Sequence, residues 1–469
     1  MGVEGDVDLI VVGGGAAGLA AAVAAESTGL TCQILEAQDD LGGRIRTVPL
    51  ATGGTFDQGA QTVNADMHHV LELAEHAGMP ISPVPETGTS LRVVRDTVFP
   101  ARDLIDIDEL YDLIEEHVVR WDTVGEALRA LWLSVKWWAT PWESAGEAGR
   151  AVSRLAPHRS APRGSLGAVL RSMLLSPEDD AIARSHLTEA YGAALDEIDA
   201  HAVREQLSRY DSHRTDLEFQ FSIGMDGIVD ALASKLHRAP RLGTPVTHMR
   251  TTAGRVQVRT DAGVWCADHV VVTVPPPVAR RIEFDIDEHD RLAQLLDSFA
   301  AGAVIKIALV YETAFWRPKG LSGWVLFGEP SGLAVIDASP DDGQLPQLMA
   351  YAGGPLARHW AALSAHDRCT RLLDLIGAPL GEQAAAPVEV AEAIWVDHPW
   401  CGGGYNAFVR RGGNRDAAPQ LAAWDGPVRF AGAELDDRFC GYVEGAINSG
   451  RSAVARLLKD VPVASTSRL

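Results

Sequence analysis

A glycine-rich turn near the start of the chain constrains its fold more than any other feature. The apolar run at residues 9–12 is typical of a parallel strand buried on both faces. Gly13, Gly15 and Gly18 follow it with G-x-G-x-x-G spacing, and the alanine-rich residues 16–26 predict a helix. In such a turn the first glycine allows a tight bend, the second admits a pyrophosphate to the backbone, and the third lets the helix pack on the strand. The segment therefore predicts the start of a doubly wound α/β domain that binds a dinucleotide.

The residues after this helix supply the rest of a dinucleotide-binding unit. The N-terminus of the helix points at the phosphates, where its dipole favours negative charge. A second strand is predicted at residues 31–35, and it ends at Glu36, where an acidic side chain accepts hydrogen bonds from ribose hydroxyls. Because strand, turn, helix, strand and acid occur in this order, we interpret the segment as a dinucleotide site and not as an ordinary strand–turn–helix unit.

Composition narrows the class of protein. A chain of 469 residues is long enough for two or three domains. Its net charge of −22 argues against nucleic acid or an anionic membrane surface as a partner, and no apolar run reaches membrane-spanning length. The N-terminus lacks the pattern of a secretory signal. The many arginines beside five lysines, with abundant alanine and glycine, suggest a GC-rich bacterial genome.

The cysteines and histidines carry little functional information. The five cysteines are scattered and form no C-x-x-C pair, so we expect neither a disulfide framework nor a zinc site. This pattern suits a reducing cytoplasm, where we expect the protein to be located. No histidines stand at metal-ligand spacing, and no metal site is predicted.

The middle of the chain indicates a second domain inserted in pieces. The pattern is helical over residues 100–215, with an apolar face at Leu110, Leu113, Ile114 and Val118, and Ser176 begins a helix. Strands are predicted at residues 246–250, 255–259 and 269–274, in a second β-rich stretch at 303–353 and 388–396, and at 428–431, which precedes a helix at 441–458. We therefore assign residues 1–83, 219–283 and 395–469 to a discontinuous dinucleotide-binding domain, and residues 84–218 and 284–394 to a mixed-sheet substrate domain with a helical insert.

Tryptophans are concentrated in the helical insert. They could line an aromatic substrate pocket, but tryptophan at helical spacing also occurs in helix packing and at dimer faces. The sequence leaves these alternatives open for Trp121, Trp132, Trp137, Trp138 and Trp142.

One lysine interrupts an apolar strand. Lys306 follows Val304 and Ile305 and precedes Ile307. If its ammonium group points inward, it must find a partner or lose its charge, which would make it a candidate functional group. Strand alternation places Ile305 and Ile307 on the opposite side, which would let Lys306 face solvent instead. The residues alone leave the two orientations open.

Several further motifs resemble those of the flavin-containing amine oxidase family, which includes the monoamine and polyamine oxidases. The resemblance covers nearly the whole chain and is weakest in the helical insert. It rests on the glycine-rich turn, on the lysine strand, and on the motifs at residues 41–44, 302–307, 315–316, 402–405, 430–434 and 441–446.

The resemblance implies FAD as the cofactor. It implies that Arg44 clamps the flavin pyrophosphate, that the backbone of Val246 contacts adenine, and that Glu434 lies near the ribityl chain. The cofactor-binding residues that it implies are Gly13, Gly15, Ala17, Gly18, Glu36, Gly43, Arg44, Ala60, Gln61, Val246, Trp395, Gly432, Glu434 and Val443.

The resemblance also implies three catalytic residues. Lys306 would hold a water against flavin N5. Tyr405 and Tyr442 would stand face to face before the flavin and form an aromatic cage through which the substrate amine passes. Ordinary packing is the alternative for both tyrosines, but each lies inside a matched glycine motif.

The chain departs from the family pattern at two places that bear on its chemistry. Gly404 stands where monoamine oxidases carry a cysteine bonded to the flavin, so we expect FAD to be bound non-covalently. Residues 59–62 lack the Met-Arg pair with which related L-amino-acid oxidases hold a carboxylate. This argues against a free amino acid as the substrate, although Arg204 or Arg209 could substitute.

The expected activity is oxidation of a C–N bond in a small-molecule amine. A hydride equivalent would pass from the amine α-carbon to flavin N5, giving an imine, and O2 would reoxidise the flavin to give H2O2. One alternative is a tailoring oxidase in natural-product biosynthesis. Another is a non-redox flavoprotein, either an isomerase or a scaffold. The sequence leaves the identity of the amine and the existence of a homodimer open.

Overall fold

The structure is a computed structural model that describes residues 3–118, 164–210, 212, 218–340 and 344–460. Within these ranges the strands are β1 Val3–Val12, β2 Cys32–Leu35, β3 Thr47–Pro49, β4 Thr55–Asp57, β5 Thr62–Val63, β6 Ile81–Pro83, β7 Thr89–Val94, β8 Thr97–Pro100, β9 Phe219–Phe221, β10 Val246–Thr252, β11 Arg255–Thr260, β12 Val264–Val272, β13 Glu283–Asp285, β14 Phe299–Ala301, β15 Val304–Val310, β16 Leu321–Phe327, β17 Leu333–Asp337, β18 Gln347–Gly353, β19 Glu389–Ile394, β20 Ala407–Val409 and β21 Val428–Phe430.

The helices of the same ranges complete the description of the elements. They are α1 Ala16–Ser27, α2 His68–His76, α3 Ile107–Val118, α4 Leu166–Ser172, α5 Pro177–Tyr191, α6 Ala200–Leu207, α7 Asp226–Ala233, α8 Pro276–Ala279, α9 His289–Leu296, α10 Gly354–Ala361, α11 Ala365–Leu380, α12 Ala417–Ala422 and α13 Val443–Asp460.

The first large sheet has the order β13-β10-β11-β12-β1-β2, with β21 paired to β12. Strand β1 lies parallel to both β12 and β2, so its side chains are covered on both faces. Leu9 and Val11 pack into the core beneath α1 and α13, whereas Ile10 and Val12 pack into the opposite core with Trp265. This alternation explains why the first strand is a continuous apolar run.

Helices α1 and α13 pack closely because small residues line their contact. A side-chain carbon placed on Gly450 of α13 would lie 2.2 Å from the carbonyl oxygen of Ala17. Most alanines of α1 are buried. The alanine-rich sequence therefore serves both helix formation and the docking of the C-terminal helix.

The second large sheet has the order β19-β15-β18-β17-β16-β7-β8. Its strand β15 is buried along its whole length between β18 and β19. Ile305, Ile307 and Leu309 pack into one core, and Ala308 and Val310 pack into another on the opposite face. Both faces of the lysine strand are therefore covered by protein.

The structure confirms most of the predicted elements and corrects the bounds of some. Ser176 begins α5, since its hydroxyl accepts a hydrogen bond from the Asp179 N–H at 3.0 Å. Leu110, Leu113 and Ile114 are buried as predicted for α3. The strand predicted at residues 269–274 instead runs from Val264 to Val272, because its first half pairs with β11 and its second half with β21.

Some predictions lie beyond what the structure describes. The five tryptophans of the helical insert fall outside the described residues, so the choice between pocket and packing stays open. The α/β fold class with a second mixed sheet is confirmed, whereas the domain boundaries stay predictions.

Candidate active site

The three glycines of the first turn meet three different backbone requirements. Gly13 has φ of +108°, which L side chains rarely adopt. A side-chain carbon on Gly18 would lie 1.9 Å from the Gly13 carbonyl oxygen, so only glycine lets α1 approach β1. A carbon on Gly15 would meet nothing closer than 3.6 Å, and its nearest neighbours are Gly42 and Gly43. The turn therefore leaves a glycine-lined space at the N-terminus of α1, which fits a pyrophosphate.

The residues predicted to contact the adenosine part of the cofactor lie near the end of β2. Glu36 is buried, and its carboxylate accepts hydrogen bonds from the Gly14 N–H at 2.5 Å and from the Gln38 N–H at 2.8 Å. The Thr244 N–H donates to the Glu36 carbonyl oxygen at 2.7 Å, and Val246 begins β10 two residues later. The structure thus brings Glu36 and Val246 to the same end of the first sheet as the glycine turn.

Arg44 joins the N-terminal and C-terminal motifs. Its guanidinium forms a two-pronged ion pair with Glu434, with N–O distances of 2.5 and 3.0 Å. It also donates to the Tyr405 carbonyl oxygen at 3.0 Å and to Asn406 at 3.1 Å. Burial alone would raise the pKa of Glu434, but the attraction of Arg44 outweighs burial and lowers it. Arg44 therefore orders the segment that carries Tyr405.

Gly432 and Val443 flank Glu434, the acidic member of this ion pair, in the sequence. The Gly432 N–H donates to the Ser449 hydroxyl of α13 at 3.1 Å, and Val443 begins that helix. Ala60, another predicted contact, donates its N–H to the Arg44 carbonyl oxygen at 3.1 Å. Ala17 is buried in the first turn of α1.

Lys306 points inward, which settles the choice that the sequence left open. The side chain is 1% exposed, and its ammonium donates to the Asp57 carbonyl oxygen at 2.5 Å, to the Gly59 carbonyl oxygen at 2.8 Å and to Gln61 Oε1 at 3.1 Å. Burial lowers the pKa of Lys306 to about 8, although Asp57 opposes the shift. All three ammonium protons are thus directed at protein oxygens, of which only the Gln61 amide belongs to a side chain.

Trp395 holds the same segment from the other side. Its indole N–H donates to the Gln58 carbonyl oxygen at 2.7 Å, and its backbone N–H donates to Val304 of β15 at 2.9 Å. Trp395 also packs against Gly404. The structure therefore brings Lys306, Gln61 and Trp395 together around residues 57–61.

The two predicted cage tyrosines each have another aromatic neighbour. Tyr442 stacks on Tyr210 with ring centroids 4.9 Å apart, and the Tyr405 ring lies 6.1 Å from that of Tyr351. The Tyr351 hydroxyl donates to Gln61 Oε1 at 3.2 Å, which connects Tyr405 to the surroundings of Lys306. A face-to-face arrangement of Tyr405 and Tyr442 stays a prediction.

The sequence analysis missed Glu189, an acidic residue in the last turn of α5. Glu189 Oε1 accepts a hydrogen bond from the Tyr405 hydroxyl at 2.5 Å. Burial raises the pKa of Glu189 to about 7, and the hydrogen bond opposes the shift. Helical spacing could have revealed it, because Ile182, Ser185 and Glu189 share the face of α5 that packs inward.

Tyrosines surround this part of the protein. Burial raises the pKa of Tyr111 well above its ordinary value, and the nearby Tyr191 and Glu189 raise it further; burial also raises the pKa of Tyr191, with smaller effects from groups that include Tyr442. All of these side chains are half-buried. Six of the chain's seven tyrosines take part, namely Tyr111, Tyr191, Tyr210, Tyr351, Tyr405 and Tyr442.

Arg209 and Arg204, the two possible carboxylate ligands, have different surroundings. Arg209 donates to the backbone oxygens of Glu434 and Asp436 at 2.9 and 2.8 Å and forms an ion pair with Glu205. Arg204 is half-buried in α6. Arg209 therefore supports the Glu434 segment. Across residues 3–118, 164–210, 212, 218–340 and 344–460, no group of histidine, cysteine and acidic side chains could hold a metal ion.

The first sheet and its glycine turn define a dinucleotide-binding α/β protein, and the second sheet adds a buried lysine near a cluster of tyrosines. A sequence profile described as "Flavin containing amine oxidoreductase" matches residues 16–458. The chain belongs to this flavin-containing amine oxidoreductase family. It is an FAD-dependent oxidoreductase, and its glycine turn, Glu36 and the Arg44–Glu434 pair fit that cofactor.

Individual relatives agree with this assignment at low identity. Amine oxidase [flavin-containing] B of Canis lupus familiaris is 26% identical over 97% of this chain and 86% of its own length. Cyclohexylamine oxidase from Brevibacterium oxydans IH-35A has a similar structure, with a TM-score of 0.80, 25% identity, and coverage of 97% of this chain and 99% of that chain. Putrescine oxidase bound to putrescine shares the fold at 22% identity, with a TM-score of 0.79 and the same coverage.

None of the helices in the described part of the chain is both long enough and apolar enough to cross a membrane.

Proposed function

We propose that the protein oxidises the carbon–nitrogen bond of a small-molecule amine, with O2 as the final electron acceptor. The observation that carries this proposal is the position of Lys306, a buried cation connected through Gln61 and Tyr351 to the cluster of tyrosines that includes Tyr405. Bound FAD would supply the acceptor for a hydride equivalent from the amine α-carbon and would return the electrons to O2, with H2O2 as a product.

The cofactor would be held by the residues that build the two ends of its cleft. The glycine turn and the N-terminus of α1 would bind the pyrophosphate, Glu36 would accept from the ribose, and Arg44 would contribute its positive charge beside Glu434. Gly43, Ala60, Val246, Trp395, Gly432 and Val443 complete the proposed contacts. We further propose that FAD is not covalently bound, since Gly404 offers no side chain for a bond to the flavin.

The tyrosines would orient the amine and exclude water from it. The faces of Tyr405 and Tyr442 are electron-rich and suit an amine or ammonium group. The protein would gain rate by holding the reacting carbon in position in a dry cavity. Lys306 would serve the electron transfers as a cation close to the cofactor, and it can bind a water only if one of its three oxygen partners moves away.

Aerobic turnover tests this proposal. The purified protein would be mixed with benzylamine, butylamine, cyclohexylamine and 1,4-diaminobutane, and H2O2 and aldehyde or ketone would be measured. We expect at least one amine to give both products in equal amounts. If the protein carries flavin but forms peroxide from none of them, the proposed oxidase activity on simple amines is wrong. A tailoring oxidase with a larger substrate, or a non-redox flavoprotein, would then be the better hypothesis.

A further inference from the structure

Glu189 is a carboxylate placed where the proposed amine would bind, and the proposed mechanism gives it no task. It lies at the end of α5, and the end of β18 packs directly on its backbone, since a carbon on Gly353 would come within 2.5 Å of its Cα. Its Oε1 accepts the Tyr405 hydroxyl at 2.5 Å. Among the described residues, Oε2 makes no hydrogen bond, and it is not fully buried.

The groups around Glu189 are tyrosines from three directions. Tyr405 precedes β20, Tyr351 lies on β18 and Tyr111 lies on α3; burial raises the pKa of each hydroxyl, and the nearby Glu189 raises it further. One turn back along α5, the His186 ring forms a hydrogen bond with the Tyr111 hydroxyl at 3.1 Å. Burial lowers the pKa of His186 to about 4, and the positive charge of Arg92 on β7 adds to this shift. Within the part of the chain that the structure describes, no lysine or arginine forms an ion pair with Glu189.

A buried carboxylate without a cation is costly, so its retention points to a ligand that supplies the positive charge. The expected substrate supplies one, because amines in neutral water are ammonium ions. An ammonium ion cannot lose hydride from its α-carbon readily, because its nitrogen has no free electron pair. The proton must therefore leave before the carbon–hydrogen bond breaks, and the cavity needs a group to take it.

We propose that Glu189 receives the proton of the substrate ammonium ion through the Tyr405 hydroxyl. The ammonium N–H bond breaks, and the nitrogen keeps the electron pair. The Tyr405 oxygen takes this proton while its own O–H proton passes to Glu189, so tyrosine ends as it began and the carboxylate becomes a carboxylic acid. This inference rests on the proposed function, since it assigns the step that precedes amine oxidation.

The acidity of Glu189 suits this task. With a pKa of about 7, Glu189 is about half ionised in the free protein at pH 7, and its carboxylate binds a proton more strongly than that of an exposed glutamate. Burial between tyrosine faces also weakens the hold of the ammonium on its proton. These two effects make the pKa values of the substrate ammonium ion and of Glu189 more similar than they are in water.

Glu189→Gln tests the inference, because a glutamine can still accept the Tyr405 hydroxyl but cannot take up a proton. The first measurement is calorimetric binding of 2-phenylpropan-2-amine, which has no α-hydrogen, in two buffers of different ionisation enthalpy at pH 8. We expect wild type to release almost no proton to the buffer and Glu189→Gln to release about one. Glu178→Gln, on the same helix but away from Tyr405, is the matched control and should behave as wild type.

A kinetic measurement separates proton transfer from simple positioning. For benzylamine, kcat/KM of wild type should rise as the pH rises through about 7, where Glu189 ionises. For Glu189→Gln we expect kcat/KM at pH 7 to fall about 10²-fold and to recover tenfold per pH unit as free amine accumulates. Tyr405→Phe, which keeps the carboxylate, should show a similar loss.

Three results would overturn the inference. One is equal proton release by wild type and Glu189→Gln. Another is an unchanged pH profile in Glu189→Gln. The third is wild-type binding without proton release and without a new carboxylic-acid band in the infrared spectrum, which would mean that Glu189 only pairs with an intact ammonium ion. Because the calorimetric probe needs no turnover, failure of every amine to be oxidised would count against the proposed function and leave this test readable.

Discussion

Arg44 and Glu434 are 390 positions apart in the chain, yet their side chains form a two-pronged ion pair in the middle of the candidate active site. Glu434 also accepts the Ala407 N–H at 2.9 Å, while Arg44 donates to the Tyr405 carbonyl oxygen. The pair thus fixes the segment that carries a predicted cage tyrosine against the predicted pyrophosphate cleft. The structural integrity of the site and its affinity for FAD should depend on the same two residues.

Glu434→Gln should test this dependence. The substitution leaves the guanidinium of Arg44 only partly paired in a mostly buried place, so we expect a loss of about 3 kcal/mol in the free energy of unfolding. We also expect weaker FAD binding, measured as the flavin-to-protein ratio after gel filtration. Arg171→Ala breaks the exposed pair with Asp196 and should cost less than about 1 kcal/mol. Equal losses in the two variants would contradict the role of the buried pair.

Gly18→Ala should disrupt the cofactor cleft with the smallest change in side chain. The added carbon would lie 1.9 Å from the Gly13 carbonyl oxygen, so α1 must move away from β1. We expect lower thermal stability and loss of bound FAD. Gly377→Ala lies inside α11, where the new carbon meets nothing within 4 Å, and should raise stability by about 0.5 to 1 kcal/mol. Full flavin occupancy in Gly18→Ala would show that the close approach is not required.

Lys306→Met should slow the exchange of electrons with O2. The substitution removes a buried cation and leaves the carbonyl oxygens of Asp57 and Gly59 without a donor. We expect reoxidation of the reduced flavin to slow about 10²-fold or more in stopped-flow mixing with O2. Lys235→Met, which changes an exposed lysine, is the control. Reoxidation at the wild-type rate would remove Lys306 from the oxidative step.

Glu189 should make stability depend on pH in a defined window. Because burial raises its pKa from 4.5 to about 7, the folded protein binds this proton more tightly than the unfolded chain does. Its contribution to stability is therefore lost as the pH rises from about 4.5 to about 7. At pH 8 we expect Glu189→Gln to have a higher Tm than wild type and a free energy of unfolding that is larger by on the order of 3 kcal/mol. Near pH 4 the two proteins should have similar Tm values. A Tm difference that does not change with pH would contradict the raised pKa.

The mode of flavin attachment can be read directly. The resemblance to monoamine oxidases implies that Gly404 replaces their flavin-bonded cysteine, so we expect acid precipitation to leave all the yellow colour in the supernatant. As a comparison, Gly404→Cys would be precipitated in the same way. Colour in the wild-type pellet would show that another residue is bonded to the flavin.

Local patterns accounted for much of the fold. The glycine turn, the alanine-rich helix and the cap at Ser176 could be predicted because each depends on residues a few positions apart. The orientation of Lys306 could not, because it depends on the segment at residues 57–61, which covers the second face of β15. The apolar neighbours of Lys306 on its own face, Val304 and Ala308, indicate that this face is covered, but they do not identify the oxygens that the ammonium group contacts.

The site was harder to predict than the fold, because its key contacts join distant parts of the chain. Glu189 and Tyr405 are 216 positions apart, and no sequence motif contains both residues. The resemblance to a family placed Tyr405 in the site, but it offered no partner for the hydroxyl. Only the inward spacing of Glu189 on α5 hinted at a buried acid.

Anaerobic reduction of the bound flavin by an amine tests the central claim most directly. The holoprotein would be mixed without O2 with benzylamine, butylamine, cyclohexylamine and 1,4-diaminobutane, and its visible spectrum would be followed before air is admitted. We expect at least one amine to bleach the flavin band, and air to restore the band with formation of one H2O2 for each flavin. A flavin that dithionite bleaches but no amine does would contradict amine oxidation as the function of this site.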